Sequence, residues 1–196
     1  FGWKATVLAV IVPLTAAVGI VLSLLRDRPS DVGLLPYGET KPTEASVATA
    51  TVSPFTALRE AAQTRLFWVL FGSFFVCGLS TNGLIQTHFI ALCGDFGMPA
   101  TTAAGLLTVM GVFDFFGTIA SGWLSDRYNC RWLLFWYYGL RGLSLLYLPF
   151  ADFTIYGLSL FAVFYGLDWI ATVPPTLKLT VERFGRERAN LVFAWI

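Results

Sequence analysis

The chain has 196 residues, of which 56% are hydrophobic and 13% charged, with 18 Phe, 7 Trp and 7 Tyr and a mean hydropathy of +0.68. A soluble domain carries about a quarter charged residues and under half apolar ones, so these values exclude an ordinary water-soluble globule and place the chain in a lipid bilayer. Thirteen Lys and Arg balance twelve Asp and Glu, leaving no basic excess for nucleic acid, and three scattered cysteines (Cys77, Cys93, Cys130) with one histidine (His88) offer neither a disulfide framework nor a zinc site, so no metal or cofactor is expected.

Ala5 to Leu25 are 21 consecutive uncharged residues, enough at about 1.5 Å per residue to cross a hydrocarbon core of about 30 Å. With no initiator Met and no small-residue cleavage site, this stretch reads as a first transmembrane span rather than a targeting segment. The 40 residues from Arg26 to Arg65 are rich in Thr, Ala and Ser and contain Pro29, Pro36, Pro42 and Pro54. That is poor material for a packed core, and a flexible linker is expected. Near its end Ser53 reads as a helix cap with Pro54 at the first helical position. Phe55, Leu58 and Ala62 then recur at helical spacing beside Arg59, Glu60 and Arg65, as in a short helix on the membrane surface; a frayed extension of the next span fits equally well.

Leu66 to Gly94 is uncharged throughout, Phe96 to Ser125 contains Asp114 alone, Trp132 to Ala151 Arg141 alone, and Phe153 to Leu177 Asp168 alone. Five spans result, and the fold class is an all-α polytopic bundle. Leu191 to Ile196 turns apolar again but is too short to cross, and the chain opens on Phe1; a fragment cut at both ends is expected. Basic residues near span ends stay on the cytoplasmic side. Arg26, Arg28, Lys41, Arg59 and Arg65 lie in the linker, Arg127 and Arg131 follow the third span, and Lys178, Arg183, Arg186 and Arg188 follow the fifth, while the connections around Asp95 and Asp152 carry none. The linker and the Arg127 turn are therefore expected in the cytoplasm, with Lys4 as the exception.

The third span ends in Gly122-Trp123-Leu124-Ser125-Asp126-Arg127-Tyr128-Asn129-Cys130-Arg131. This resembles the loop signature of the major facilitator superfamily: Gly, three residues, Asp, a basic residue, any residue, Gly, then two basic residues. Gly122, Asp126, Arg127 and Arg131 keep the pattern, while Asn129 and Cys130 stand where Gly and a basic residue are usual. A small residue such as Gly122 lets two helices approach closely, the charged groups can clasp helix ends, and Asn129 tolerates the positive φ such a turn uses. The resemblance implies that residues 1–25 are the last helix of an N-terminal half, residues 26–65 the central cytoplasmic loop, and residues 66–196 a C-terminal half truncated in its fifth helix. The stretch Arg26-Asp27-Arg28-Pro29-Ser30-Asp31-Val32-Gly33-Leu34-Leu35-Pro36 is similar to the linker start of bacterial relatives of the monocarboxylate and oxalate/formate porters. Those porters carry an Asp at the offset of Asp114 and an Arg one turn later, where this chain has Thr118.

A charge at mid-span costs about 2.5 to 3.5 kcal/mol on insertion scales and needs a partner, a wet cavity or a function. Asp114 lies 12 residues before Asp126, Arg141 10 after Arg131 and Asp168 10 before Lys178, which places all three at one depth, about 15 to 18 Å from the basic boundary. One Arg neutralises one carboxylate, so one of the two acids is expected to hold a proton part of the time. Arg141 has two readings, a buried lock between spans or an anion ligand. Gly105, Thr108, Gly111, Asp114, Thr118 and Ser121 or Gly122 form a small, polar stripe on the third span, either packing seam or cavity wall. Asn82 and Gln86, with Gly78 and the nearby His88, give the second span a polar face, and Gly83 could break it. On the fifth span Tyr165, Asp168 and Thr172 share a face beside Trp169, suited to a small ligand, and Pro174-Pro175 should distort its cytoplasmic end.

The expectation is a secondary active transporter in a cell membrane, of the bacterial inner type, working as a monomer by alternating access on a small solute. Proton coupling and a monocarboxylate or other organic anion are expected, with drug or sugar carriage as alternatives. The candidate substrate or coupling residues are Asp114, Asp168, Arg141, Asn82, Gln86, Thr118, Tyr165 and Trp169; the gating residues are Gly122, Asp126, Arg127 and Arg131. An intramembrane aspartyl protease would also hold two Asp at one depth, but where it would show Gly-any-Gly-Asp this chain has Gly166-Leu167-Asp168, without the second glycine.

Overall fold

A computed structural model describes residues 2–26, 33 and 53–196. Most of the expected flexible linker, including its porter-like start, falls on residues 27–32 and 34–52 and so lies outside the described residues. The chain divides into two units, Phe1–Thr51 and Val52–Ile196, and every regular element among the described residues is helical.

The first unit holds α1 (Trp3–Leu24), a 22-residue helix with Pro13 inside it. Its hydroxyls are turned back on its own backbone: Thr15 donates to the Ile11 carbonyl at 2.9 Å and Ser23 to Gly19 at 2.7 Å. These two hydroxyls then need no water, which suits the uncharged stretch of the helix that follows Lys4.

The second unit begins with α2 (Pro54–Ala62), which starts at Ser53 with Pro54 in the first turn, although the Ser53 side chain makes no capping bond. It is a separate helix and no extension of the next span, since Gln63 and Thr64 interrupt it and Thr64 caps α3 (Arg65–Gly78) by accepting from Phe67 N–H at 3.3 Å. Ala57 and Ala61 of α2 are buried against Phe67 and Val192. Its small face thus packs on protein, and Phe55 points outward. The expected second span runs unbroken from Arg65 to Asp95. Its middle, Leu79–Gln86, is π-helical, before α4 (Thr87–Asp95) resumes the ordinary pitch. Gly83 therefore marks a widened turn rather than a break, and the Asn82 carbonyl exposed by the widening accepts from the Thr87 hydroxyl at 2.7 Å.

The third span is α5 (Ala100–Arg127). With α1 and the Arg65–Asp95 helix, it is one of three helices long and apolar enough to cross a membrane. The fourth expected span is α6 (Cys130–Tyr147), extended by a 3₁₀ turn over Leu148–Phe150. Asn129 opens it with φ −68°, not a positive φ: its side chain accepts from Arg131 N–H at 2.9 Å, so it serves as an N-cap. The fifth span is not one helix. It consists of α7 (Ile155–Leu167) and α8 (Val173–Phe184), separated at mid-span by residues 168–172, and α9 (Arg186–Phe193) follows Gly185 at φ +77°.

The core of this unit is formed by α4, α5 and α7, where Phe89, Met110, Leu158, Phe161 and Tyr165 are almost wholly buried. α5 and α7 form the closest contact, and two glycines make it possible. A methyl group on Gly117 would lie 2.7 Å from the carbonyl carbon of Leu167 and 2.9 Å from its Cα; one on Gly166 would lie 2.9 Å from Met110 Cα. The large apolar side chains of α6, among them Trp132, Phe135, Trp136 and Leu143, are exposed on the surface of the unit, as lipid contact requires.

Candidate functional site

The gap between α7 and α8 leaves backbone groups without helical partners in a region where water is scarce, a situation costing several kcal/mol per group if nothing replaces them. Pro175 has no N–H for the Ala171 carbonyl and Pro174 none for Ile170. The distortion therefore lies upstream of the prolines, at mid-span, rather than at the helix end. Three side chains from neighbouring helices supply the partners. Ser121 of α5 donates to the Ala171 carbonyl. Arg141 of α6 donates through Nη2 to the carbonyls of Asp168 and, at 2.8 Å, Trp169. Asp114 of α5 accepts from Ile170 N–H at 2.9 Å. Replacing Ser121 by Ala is expected to lower stability by about 1 to 2 kcal/mol, because the carbonyl it serves stays buried; a thermal melt of purified protein against the Ser121→Thr variant measures this.

The remaining donors of Arg141 are also engaged. Nε meets Asp168 Oδ2 at 2.7 Å in an ion pair whose side chains are 3% and 5% exposed, and Nη1 faces Cys77 Sγ and the Thr81 hydroxyl of the second span. Thr81 in turn lies 3.4 Å from the Tyr165 hydroxyl. Arg141 thus pairs α6 with the fifth span and ties both to the second. Asp114 is half-buried, its Oδ1 also accepting from Thr118 at 3.2 Å, and it has no cationic partner among the described residues. All three intramembrane charges converge on residues 168–172.

The other candidates are distributed differently. Tyr165, Asp168 and Thr172 are buried inside the bundle and Trp169 packs against its core, so the expected ligand-gripping face is filled by protein. Asn82 and Gln86 are exposed, as are His88, Gly105, Thr108 and Gly111. Gly105, Thr108 and Gly111 of the α5 stripe therefore lie outside the packing seam of this unit, which Ser121 alone of the stripe joins. That seam is Ala103, Leu106, Met110, Gly117, Ser121 and Ser125, and its essential member, Gly117, could have been found from its place seven residues after Met110 and four before Ser121, on the helical face that Ala103 and Leu106 share.

The signature residues also differ from expectation. A methyl group on Gly122 would meet nothing within 4 Å, so the close approach belongs to Gly117 instead. Asp126 pairs at 3.8 Å with Lys178 of α8, which also donates to the Ser125 carbonyl at 2.6 Å, and not with a basic residue of its own loop. Arg127 lies over the Trp123 ring at 4.0 Å, and Arg131 is exposed.

An apolar, multi-helix bundle with buried charges clustered on a discontinuous span defines a multi-pass membrane protein. The chain belongs to the Major Facilitator Superfamily, a family of membrane transporters whose profile matches residues 1–196. It is 27% identical over 130 residues to an uncharacterized MFS-type transporter, YcxA, of Bacillus subtilis (strain 168), covering 62% of this chain and 30% of that protein. It is 35% identical over 104 residues to monocarboxylate transporter 13 of Rattus norvegicus, covering 52% and 24%, and 32% identical over 125 residues to monocarboxylate transporter 12-B of Danio rerio, covering 60% and 26%. The matched part thus spans under a third of each relative's length. No solved structure matches the chain.

Proposed function

We propose that this chain is part of a proton-coupled secondary transporter that carries a small organic anion, a monocarboxylate in the first instance, by alternating access. The observation that carries the reading is Asp114: a half-buried carboxylate on the backbone of an interrupted membrane helix, without a cation among the described residues. A carboxylate without a counter-charge inside a membrane span is the kind of group through which a transporter couples a proton to its gating steps. Asp168 adds a second proton position, since its Oδ1 is buried with no hydrogen-bond partner among the described residues. The exposed polar faces at Asn82, Gln86, Thr108 and Gly111 supply surface for a water-filled path, and two relatives named as monocarboxylate transporters support the substrate class.

In this reading Arg141 holds the break together and the charge that recognises an anion comes from elsewhere, because each guanidinium nitrogen already has a partner. Residues 1–25, 26–65 and 66–196 are the last helix of the first half, the central loop and most of the second half, and the basic ends face the cytoplasm of a cell in whose membrane the protein works as a monomer. The test is uptake by the full-length protein in liposomes, with labelled carboxylates, sugars and cationic drugs at two pH values. Asp114→Asn is expected to abolish accumulation driven by a pH gradient, at least tenfold, while leaving folded yield unchanged. Undiminished accumulation would remove the coupling role.

A further inference from the structure

The wide turns in the middle of the second span follow from the spacing of its buried residues. Thr81, Ile85, Phe89 and Cys93 are all buried, at intervals of four. An ordinary α-helix advances about 100° per residue, so each interval of four drifts by about 40°, and Cys93 would lie about 120° around the helix from Thr81. The π-helical turns of Leu79–Gln86 absorb one residue, which cuts that drift to about 20° and keeps all four side chains on the face that packs on protein. The span is thus one residue longer than the α-helix that would present the same face.

That extra residue is weakly held. Ser80, Thr81, Asn82 and Gly83 follow one another, four residues with little intrinsic preference for a helix, and the Asn82 carbonyl relies on the Thr87 hydroxyl. On either side the span is fixed. Arg141 donates through Nη1 to Cys77 Sγ and to the Thr81 hydroxyl, which ties the near side to the break at residues 168–172. On the far side Phe89 stacks on Phe161, with ring centroids 6.0 Å apart, and Cys93 is wholly buried. Packing makes no demand for glycine between these anchors: a methyl group on Gly83 would meet only a side-chain carbon of Leu79, at 4.0 Å. We propose that residues 79–86 are a joint at which α4 bends against α3, and that the extra residue serves this motion rather than the fold. The use of the joint in gating rests on the carrier reading above, whereas its mobility does not.

Backbone hydrogen exchange of the full-length protein in lipid nanodiscs, read by mass spectrometry, is expected to be at least about tenfold faster over residues 79–87 than over residues 68–78. Deleting Gly83 leaves Thr81 and Phe89 seven residues apart, about two ordinary turns. The deletion variant should therefore fold with an unchanged or higher melting temperature and exchange that region at least about tenfold more slowly than the unsubstituted protein. It should also lose most of the accumulation of whichever solute the unsubstituted protein carries. Gly83→Ala keeps the residue count and should retain both folding and accumulation. The joint would be overturned by exchange over residues 79–87 as slow as over residues 68–78, by a deletion variant that fails to fold or accumulates solute normally, or by an equal loss of accumulation in Gly83→Ala. If the unsubstituted protein carried no solute, the carrier reading would fail and the exchange rates would still decide the joint.

Discussion

Gly117→Ala and Gly166→Ala are expected to remove most of the folded protein, whereas Gly111→Ala is expected to leave it intact. The three positions lie on the same two helices, and all three substitutions add one methyl group. At Gly117 that methyl meets the Leu167 main chain, and at Gly166 it meets the Met110 main chain, with carbon atoms under 3.0 Å away in both cases. Backbone cannot rotate aside as a side chain can, so α5 and α7 must separate along their length. Separation costs packing at Met110, Phe161 and Tyr165, each almost fully buried, and it moves Ser121 and Asp114 away from the groups they bond at residues 170 and 171. A destabilisation of about 3 kcal/mol is expected at either glycine, at the upper end of ordinary overpacking. At Gly111 nothing lies within 4 Å. Monodisperse yield in detergent, followed by thermal unfolding of what is recovered, compares the three; equal behaviour would refute the close crossing.

The second large effect is at Arg141. Arg141→Gln leaves the buried Asp168 carboxylate, whose side chain is 5% exposed, without its counter-charge, and it frees the carbonyls of Asp168 and Trp169. Removing one member of a buried pair costs about 3 to 5 kcal/mol, a large share of the roughly 5 to 15 kcal/mol that holds a domain together. Arg141→Lys should rescue little, because a single ammonium cannot reach a carboxylate and two carbonyls in the fixed fork of a guanidinium. Adding Asp168→Asn to Arg141→Gln removes the uncompensated charge, and the double variant is expected to be more stable than Arg141→Gln alone. Folded yield of the four proteins measures this. If Arg141→Gln instead folded normally and lost anion binding selectively, Arg141 would belong to the substrate site.

Both predictions come from the same place in the molecule, and the sequence revealed its ingredients unevenly. Asp114, Arg141 and Asp168 stood out because a charge among apolar residues is costly in lipid, and helical rise alone put them at one level. Their partners did not follow from rise. Which carboxylate Arg141 meets depends on how α6 and the fifth span are rotated about their axes, and rotation is set by contacts between elements far apart in the chain. Asn129 was visible as a turn residue, but whether it would take a positive φ or a cap depended on where α6 began.

The sequence by itself determined that this chain belongs in a bilayer and, for the first four spans, where the helices begin and end to within a few residues, because length, hydropathy and the avoidance of charge are local properties. Tertiary structure alone decided that the fifth span opens at residues 168–172 and that Gly117 and Gly166 let α5 and α7 touch. Pro174 and Pro175 remove donors, yet a helix can bend, fray or part in response. It parts at mid-span here because Ser121, Asp114 and Arg141 from two neighbouring helices are in place to satisfy the backbone that is released.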